Sequence, residues 1–340
     1  MRKILKYCFN TSVWSPTKIE WLTLLSSLPK DERERITSYM FKRDSKQTLM
    51  GQILIRFCLK QFLNTDWSNI CIGRNAKGRP FLKIKETLCL SRLNNLDHTI
   101  DFNVSHSGDY TVIIAGFFPL KKKSDDLEDG PKVGCDVMKI DIDRSKIKFP
   151  NESDEFLFQH QLELLERVID TKFSNIEKNY IHNRPNPVEK LTAFYRLWCL
   201  KESYVKAVGD GMGFDIKRIE CVPRSELLID LNSKRCLVVD DTQLFVDSKL
   251  IKNCKFNEQY YLDSTNSSHQ RPQLHIMTHC IIESEKSQKD KKDLDQANEF
   301  SNIELKELLD NISSVDNLDE NEHEILWKKF SEKDEKPNVF

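Results

Sequence analysis

The chain has 340 residues, 39% apolar and 31% charged, enough to build one large or two ordinary domains around a buried core. A formal net charge of −1 exerts no global pull on nucleic acid or anionic membrane, so any anion-binding surface must be local. The ten cysteines are scattered, mostly in apolar runs and without a C-x-x-C pair, which fits a reducing compartment and neither a disulfide framework nor a zinc site.

The longest apolar run, Val112 to Leu120, is broken by Gly116 and Pro119 and is too short to span a bilayer. Met1-Arg2-Lys3 before Ile4-Leu5 faintly resembles a signal start, but Lys6 and Asn10 interrupt it. The expectation is a cytosolic monomer that engages neither membrane nor nucleic acid.

In chain order, Ser15-Pro16 reads as an N-cap with proline at the first helical position, opening an amphipathic run through Leu25. Pro29 starts a second run with Asp31 and Glu32 in its first turn. Leu49, Ile53, Ile55, Phe57 and Leu59 mark a longer helix ending near Asn64. Strand and turn signals follow at Ile70 to Ile72, Gly78 to Pro80, Phe102 to Val104 and Tyr110 to Ala115. Lys121 to Pro131 is a charged loop between two halves, and Val133 to Ile140 is strand-like. Phe156 to Ile169 is helical, and Ser174 to Glu177 fits a capping box. After a linker, Lys190 to Val208 forms an amphipathic helix stopped by Gly209. Short strands are expected at Ile219 to Val222, Leu237 to Val239, Leu244 to Val246 and Leu274 to Ile282. Glu283 to Asn298 has the composition of a disordered linker. The expected division is 1–120, 131–283, and a polar, partly disordered acidic tail over 284–340, in which Leu305, Leu308, Leu309, Ile325, Leu326 and Trp327 can form short helices, with the folded body ending near 283.

Four segments carry chemistry, and each has an ordinary reading beside the functional one. Gly73-Arg74-Asn75-Ala76-Lys77-Gly78-Arg79-Pro80 makes a turn where backbone can approach an anion while cations neutralise it; a solvated hairpin has the same composition. Asn103-Val104-Ser105-His106-Ser107-Gly108 reads as a strand running into a polar turn, with His106 either facing a phosphate or held by backbone. In Val133-Gly134-Cys135-Asp136-Val137-Met138, alternation puts Gly134, Asp136 and Met138 on one face, and Asp136 is either a hard-metal ligand or a loop cap. Trp198, Glu202 and Lys206 share one helical stripe with Lys201 beside it; this is either a surface ion pair or a half-buried pair that needs a partner.

In combination, Gly134-Cys135-Asp136 followed by Trp198-x-x-Lys201-Glu202-x-x-x-Lys206 resembles the signature of the Sfp-type 4′-phosphopantetheinyl transferases. Asn103 to His106, Ala76 to Pro80 and Gly209 to Phe214 bring it closest to the animal aminoadipate-semialdehyde dehydrogenase branch of that family. The likeness spans about 21–282.

That resemblance implies an α+β fold of two similar halves related by a pseudo-twofold axis, with coenzyme A as co-substrate in the cleft between them. It implies Mg²⁺ held by Asp136 and Glu202, with Glu202 also the base toward a serine of an apo acyl-carrier protein. Lys206 would grip the diphosphate and stabilise the departing adenosine 3′,5′-bisphosphate. Arg35, Arg74, Asn75, Ala76, Lys77, Gly78 and Arg79 would contact coenzyme A, as would Lys201, Ser203, Tyr204 and Val205 beside Glu202 and Lys206. Asn103, Val104, Ser105 and His106 would meet the nucleotide, His106 at its 3′-phosphate, and Ser174 to Glu177 would lie near the docked carrier. Two departures stand out: Met138 replaces a third carboxylate found in many bacterial members, and Ser107 stands where the animal enzymes have glutamine. The alternative is an inactive homologue that binds coenzyme A or carrier without transfer.

Overall fold

The computed structural model describes residues 2–83, 98–119, 130–140, 154–226, 238–263, 273–284, 299–315 and 318–335. The expected loop over 121–131 and linker over 283–298 fall almost wholly outside these residues, as does the start of the strand expected from Leu237. The elements are β1 (Lys3–Asn10), α1 (Lys18–Ser26), α2 (Lys30–Ser38), α3 (Lys42–Leu63), β2 (Ile72–Arg74), β3 (Pro80–Leu82), β4 (His98–Ser107), β5 (Tyr110–Pro119) and β6 (Lys132–Ile140). They continue with α4 (Asp154–Lys172), α5 (Asn175–His182), α6 (Pro187–Val208), β7 (Ile219–Val222), β8 (Gln243–Val246), β9 (Lys249–Leu250), β10 (Cys254–Asp263), β11 (Gln273–Ile282), β12 (Ser301–Asn302), α7 (Leu305–Leu309) and α8 (Glu320–Ser331). Among the described residues no helix is long and apolar enough to cross a membrane.

The chain divides into two compact units, Met1–Pro131 with Lys292–Asn338, and Lys132–Lys291. The first has a sheet ordered β12-β1-β5-β4, with β1–β5 and β5–β4 antiparallel. Helix α3 packs on it, and Met50, Ile53, Leu54 and Phe57 form one core with Leu5, Phe9, Phe102, Ile113 and Ala115. β5 is buried on both faces, so it reads as a continuous apolar run rather than an alternating one. Asn64, in the left-handed region at φ 45°, stops α3 as expected.

Helix α1 begins later than Ser15-Pro16 suggests. Thr17 is the N-cap, its hydroxyl accepting the Glu20 N–H while the Glu20 carboxylate accepts the Thr17 N–H. That reciprocal box satisfies two orphan donors, whereas proline at the first position satisfies none. β1 gave no sequence signal, because Lys3 and Lys6 break its alternation; Lys6 is nonetheless buried.

The expectation that the folded body ends near 283 is corrected by residues 299–335. β12 pairs in parallel with β1, Tyr7 opposite Ser301, and the Ile303 N–H donates to Cys8 O at 3.0 Å. Phe330 of α8 stacks on Trp21 with ring centroids 3.8 Å apart, and Ile303 and Leu308 are buried in the same core. The tail also serves α3 directly. Phe41 offers no side-chain cap, and the first helical N–H groups, of Lys42 and Arg43, donate instead to Asp334 O at 2.8 Å and Glu335 O at 3.0 Å. Lys333 Nζ donates to Thr37 O at 2.9 Å, and Lys46 pairs with Glu335.

The second unit follows the same plan: a sheet ordered β10-β11-β6, antiparallel throughout, with α6 packed on β6 and β11. With β12 set aside, the sheet of each unit has its first strand and its penultimate one flanking the last, and a helix of 22 residues lies between first and penultimate in sequence. This meets the α+β expectation and shows a repeat of topology that the residues do not announce. α6 starts three residues before the expected Lys190, at Pro187, because Asn186 caps it through the Glu189 N–H with proline at the first position. Gly209, at φ 82°, ends it as expected, and the Ser174–Glu177 capping box is present.

Lys201 and Glu177 form a fully buried ion pair at 2.7 Å. Lys201 Nζ also donates to Lys172 O at 3.0 Å and Ile219 O at 2.6 Å, and lies 4.9 Å over the Phe173 ring. Glu177 accepts the N–H groups of Ser174 and Cys221. Burial pushes the Glu177 carboxyl above its usual range, against the pull of Lys201 and the Cys221 N–H. One ammonium thus ties α6 to the end of α4, the cap of α5 and the start of β7.

Two stability measurements follow from this packing. Phe330→Ala removes a buried aromatic and is expected to lower unfolding free energy by about 3–5 kcal/mol in denaturant titration. Lys201→Met strands the Glu177 carboxylate and is expected to cost about 3–5 kcal/mol; adding Glu177→Leu should recover only part of it, because the Ser174 and Cys221 N–H groups then lose their acceptor.

Candidate functional site

The site in the second unit begins with a close approach of strand to helix. A Cβ added at Gly134 would lie 2.0 Å from Ser203 O and 2.5 Å from Ala207 N, so only glycine lets β6 sit this near α6. Two residues on, the same face of β6 presents Asp136 to α6, as the alternation indicates. Lys206 Nζ donates to Asp136 Oδ1 at 2.6 Å; the Asp136 side chain is 5% exposed and that of Lys206 28%.

Glu202, one turn earlier on α6, is half-buried in the same charge cluster. Burial pushes its carboxyl above the usual glutamate range, the Asp136 charge adds to this, and Lys206 pulls back. For Lys206, burial works against the ammonium, but the Asp136 carboxylate outweighs it and holds the group above its ordinary value, firmly cationic. Trp198 heads the stripe, stacked with Phe194 at 6.0 Å, so this helix face is no ordinary solvated surface.

The remaining α6 residues expected at coenzyme A are placed differently. Lys201 points into the unit interior, where Glu177 and backbone carbonyls satisfy it, and its expected ligand contact is corrected to an internal one. Spacing puts it about 100° around the helix from Glu202, and that turn carries it off the stripe. Glu177, expected near a docked carrier, is likewise buried. Ser203 is buried with its hydroxyl donating to Leu200 O, Val205 is in the core, and Tyr204 meets Phe214 edge-on. Met138 packs beside Cys199, Tyr260 and Ile276, as an apolar residue in place of a third carboxylate should.

In the first unit the Arg74–Arg79 segment is a tight hairpin between β2 and β3. Asn75 Oδ1 accepts the N–H groups of Lys77 and Arg79, and the Gly78 N–H, at φ 80°, goes to Asn75 O. The expected backbone cradle is therefore largely occupied by the turn itself, and charge neutralisation falls to side chains. Arg79 grips Asp101 of β4 with both bonds from Nη2, at 2.9 and 2.8 Å. Arg74 lies close enough to Arg35, on α2, that burial and then the Arg35 charge both push its guanidinium below its usual value. Glu32 opposes this; it also takes two bonds from Arg56 of α3. The Gln52 amide, oriented so that each end has a partner, accepts from Arg74 Nη2 at 3.3 Å and donates to Glu32 at 3.0 Å.

β4 also differs from expectation. The Ser-His-Ser-Gly segment is not a turn: the strand runs through Ser107, and the chain reverses at Gly108-Asp109, Gly108 having φ 57°. Gln47 and Thr11 fix that reversal by donating to Gly108 O and Asp109 O. Asn103 and Ser105 are buried on the face shared with Asp101, whereas His106 is exposed on the opposite face, with Val104.

Asp136 and Glu202 fit a hard divalent cation in donor chemistry, since Mg²⁺ takes one or two carboxylates and completes its shell with water and phosphate oxygens. Among the described residues no group of three or more His, Cys, Asp and Glu side chains forms a closed metal cage. Residues that sequence alone did not single out complete the surroundings: Thr278 and Cys280 on β11, Cys199 on α6, and Gln52 with Glu32 near Arg74. Apolar neighbours hide Thr278, Cys280, Cys199 and Gln52, and Glu32 lies within the unbroken charged run Lys30 to Arg35.

Residues 12–117 match the family model described as 4′-phosphopantetheinyl transferase, N-terminal, and residues 132–250 match that of the 4′-phosphopantetheinyl transferase superfamily. The L-aminoadipate-semialdehyde dehydrogenase-phosphopantetheinyl transferase of Rattus norvegicus is 33% identical over 253 residues, 74% of this chain and 70% of that protein. Its Homo sapiens counterpart is 32% identical over the same shares. A 4′-phosphopantetheinyl transferase of Aneurinibacillus migulanus is 27% identical over 225 residues, 65% of this chain and 74% of its own length. Matched in order by both halves and over most of its length by animal members, this chain belongs to the 4′-phosphopantetheinyl transferase superfamily and is a transferase of that kind.

Proposed function

We propose that this enzyme moves the 4′-phosphopantetheine arm of coenzyme A onto a serine hydroxyl of an apo carrier-protein domain and releases adenosine 3′,5′-bisphosphate. The observation that carries this is the gathering of Asp136, Glu202 and Lys206 at one strand–helix seam, two acids and a cation coupled through burial. Asp136 and Glu202 would hold Mg²⁺, which when bound neutralises diphosphate charge and polarises the phosphorus under attack. Glu202, with its carboxyl held above the ordinary range, takes the serine proton directly or through a water. The serine oxygen forms the new P–O bond as the bond to the adenosine-side phosphate breaks. Lys206, kept cationic, offsets the charge on that leaving group.

Arg35 and Arg74 supply paired positive charge of the kind that binds nucleotide phosphates, and Lys77 adds an exposed cation on the same hairpin. Arg79, locked to Asp101, would act by fixing the hairpin against β4. Exposed His106 remains our candidate for the 3′-phosphate. The animal relatives' names make the carrier domain of an aminoadipate-semialdehyde dehydrogenase the first substrate to test.

Incubation with coenzyme A, Mg²⁺ and apo-carrier should raise the carrier's intact mass by one phosphopantetheine; binding without any increase would mean an inactive homologue. Asp136→Asn and Glu202→Gln are each expected to abolish the mass increase in protein that still folds, Asp136→Asn with a lowered unfolding midpoint because it breaks the pair with Lys206, and near-normal turnover by either removes the assignment. His106→Ala should raise KM for coenzyme A with little change in kcat; an unaltered KM excludes the nucleotide contact.

A further inference from the structure

The two proposed cation ligands come from different elements, Asp136 from β6 and Glu202 from α6, so something must fix the gap between them. Thr278 stands opposite Asp136 in the β6–β11 ladder and is fully buried. Its hydroxyl donates to Cys199 O on α6 at 2.9 Å and lies 3.4 Å from Cys199 Sγ. In a helix Cys199 O already accepts the Ser203 N–H, so this bond uses its second lone pair and pins the turn that carries Glu202. Two residues along β11, Cys280 stands opposite Gly134, and its thiol donates to Ser203 O at 3.3 Å. The two pinned carbonyls are one helical turn apart and bracket Glu202. The Cys199 thiol itself lies against the Asp136 carboxylate and reaches Ile276 O at 3.6 Å.

We propose that Thr278, seconded by Cys280, is a positioning residue that sets the separation of the Asp136 and Glu202 carboxylates and thereby the affinity of the site for a divalent cation. Neither side chain touches substrate; both act through the α6 backbone. The inference rests on the reading of Asp136 and Glu202 as cation ligands. Outer groups that orient ligands typically contribute about 10–100-fold to metal affinity.

The probe is Mn²⁺ binding to the full-length protein, followed by the electron paramagnetic resonance signal of the free ion, with and without coenzyme A. Thr278→Val keeps the shape and removes the donor, and is expected to weaken Mn²⁺ at least about tenfold. Thr278→Ser restores the hydroxyl and should restore the affinity. Cys280→Ala removes the second pin and is expected to show a smaller loss of the same kind, which keeps the idea testable should Thr278→Val fold poorly. A purely structural role predicts a lower unfolding midpoint with unchanged Mn²⁺ affinity in folded protein, and that result overturns the proposal. Wild-type protein that binds no Mn²⁺ overturns instead the metal reading of Asp136 and Glu202.

Discussion

The missing side chain at Gly134 allows a strand and a helix to meet at backbone contact, and the chemistry of the second unit is arranged around that seam. Packed helices ordinarily keep their axes about 8–10 Å apart, and stacked sheets lie about 10 Å apart. Here the closeness brings an acid from β6 within reach of a lysine from α6, and leaves β11 near enough to donate to helix carbonyls. A methyl group at 134 would collide with backbone, which has no rotamer by which to yield.

Charge is handled in two ways on the same helix. Lys201 is wholly inside, and every direction from its ammonium meets a carboxylate, a carbonyl or an aromatic face. Lys206, five residues on, keeps part of its surface open and shares its acid with the half-buried Glu202. The first arrangement stabilises and orients; the second keeps its charge at the surface of the unit. Neighbouring lysines in one motif therefore have opposite surroundings, decided by a rotation of the helix rather than by residue type.

The sequence is legible where the physics is local. The Ser174–Glu177 box, the Gly209 stop, the Asn64 stop and the β6 alternation are each fixed by residues within one or two turns. Features that depend on distant partners are not legible in the sequence. The Ser105–Ser107 segment has turn composition but is held in a strand by β5. The direction of Lys201 depends on Glu177 and on three carbonyls, of Lys172, Ile216 and Ile219, from two other segments. The repeated topology of the two units leaves no visible trace, because a sheet and its helix constrain burial and direction and not residue identity. The attachment of the polar tail is not legible, because Ile303, Leu308 and Phe330 complete a core whose other members lie mostly near the opposite end of the sequence.

That last arrangement bears on how the protein is made. Ribosomes deliver Pro131 about 200 residues ahead of Asp334, an interval of roughly 10–40 s at ordinary elongation speeds. During it the nascent β1 has a bare edge, the Trp21 ring lacks its cover and α3 begins without acceptors for its leading amides. The portion synthesised first is thus the one that matures last, and slow translation would lengthen its exposure to aggregation and chaperone capture.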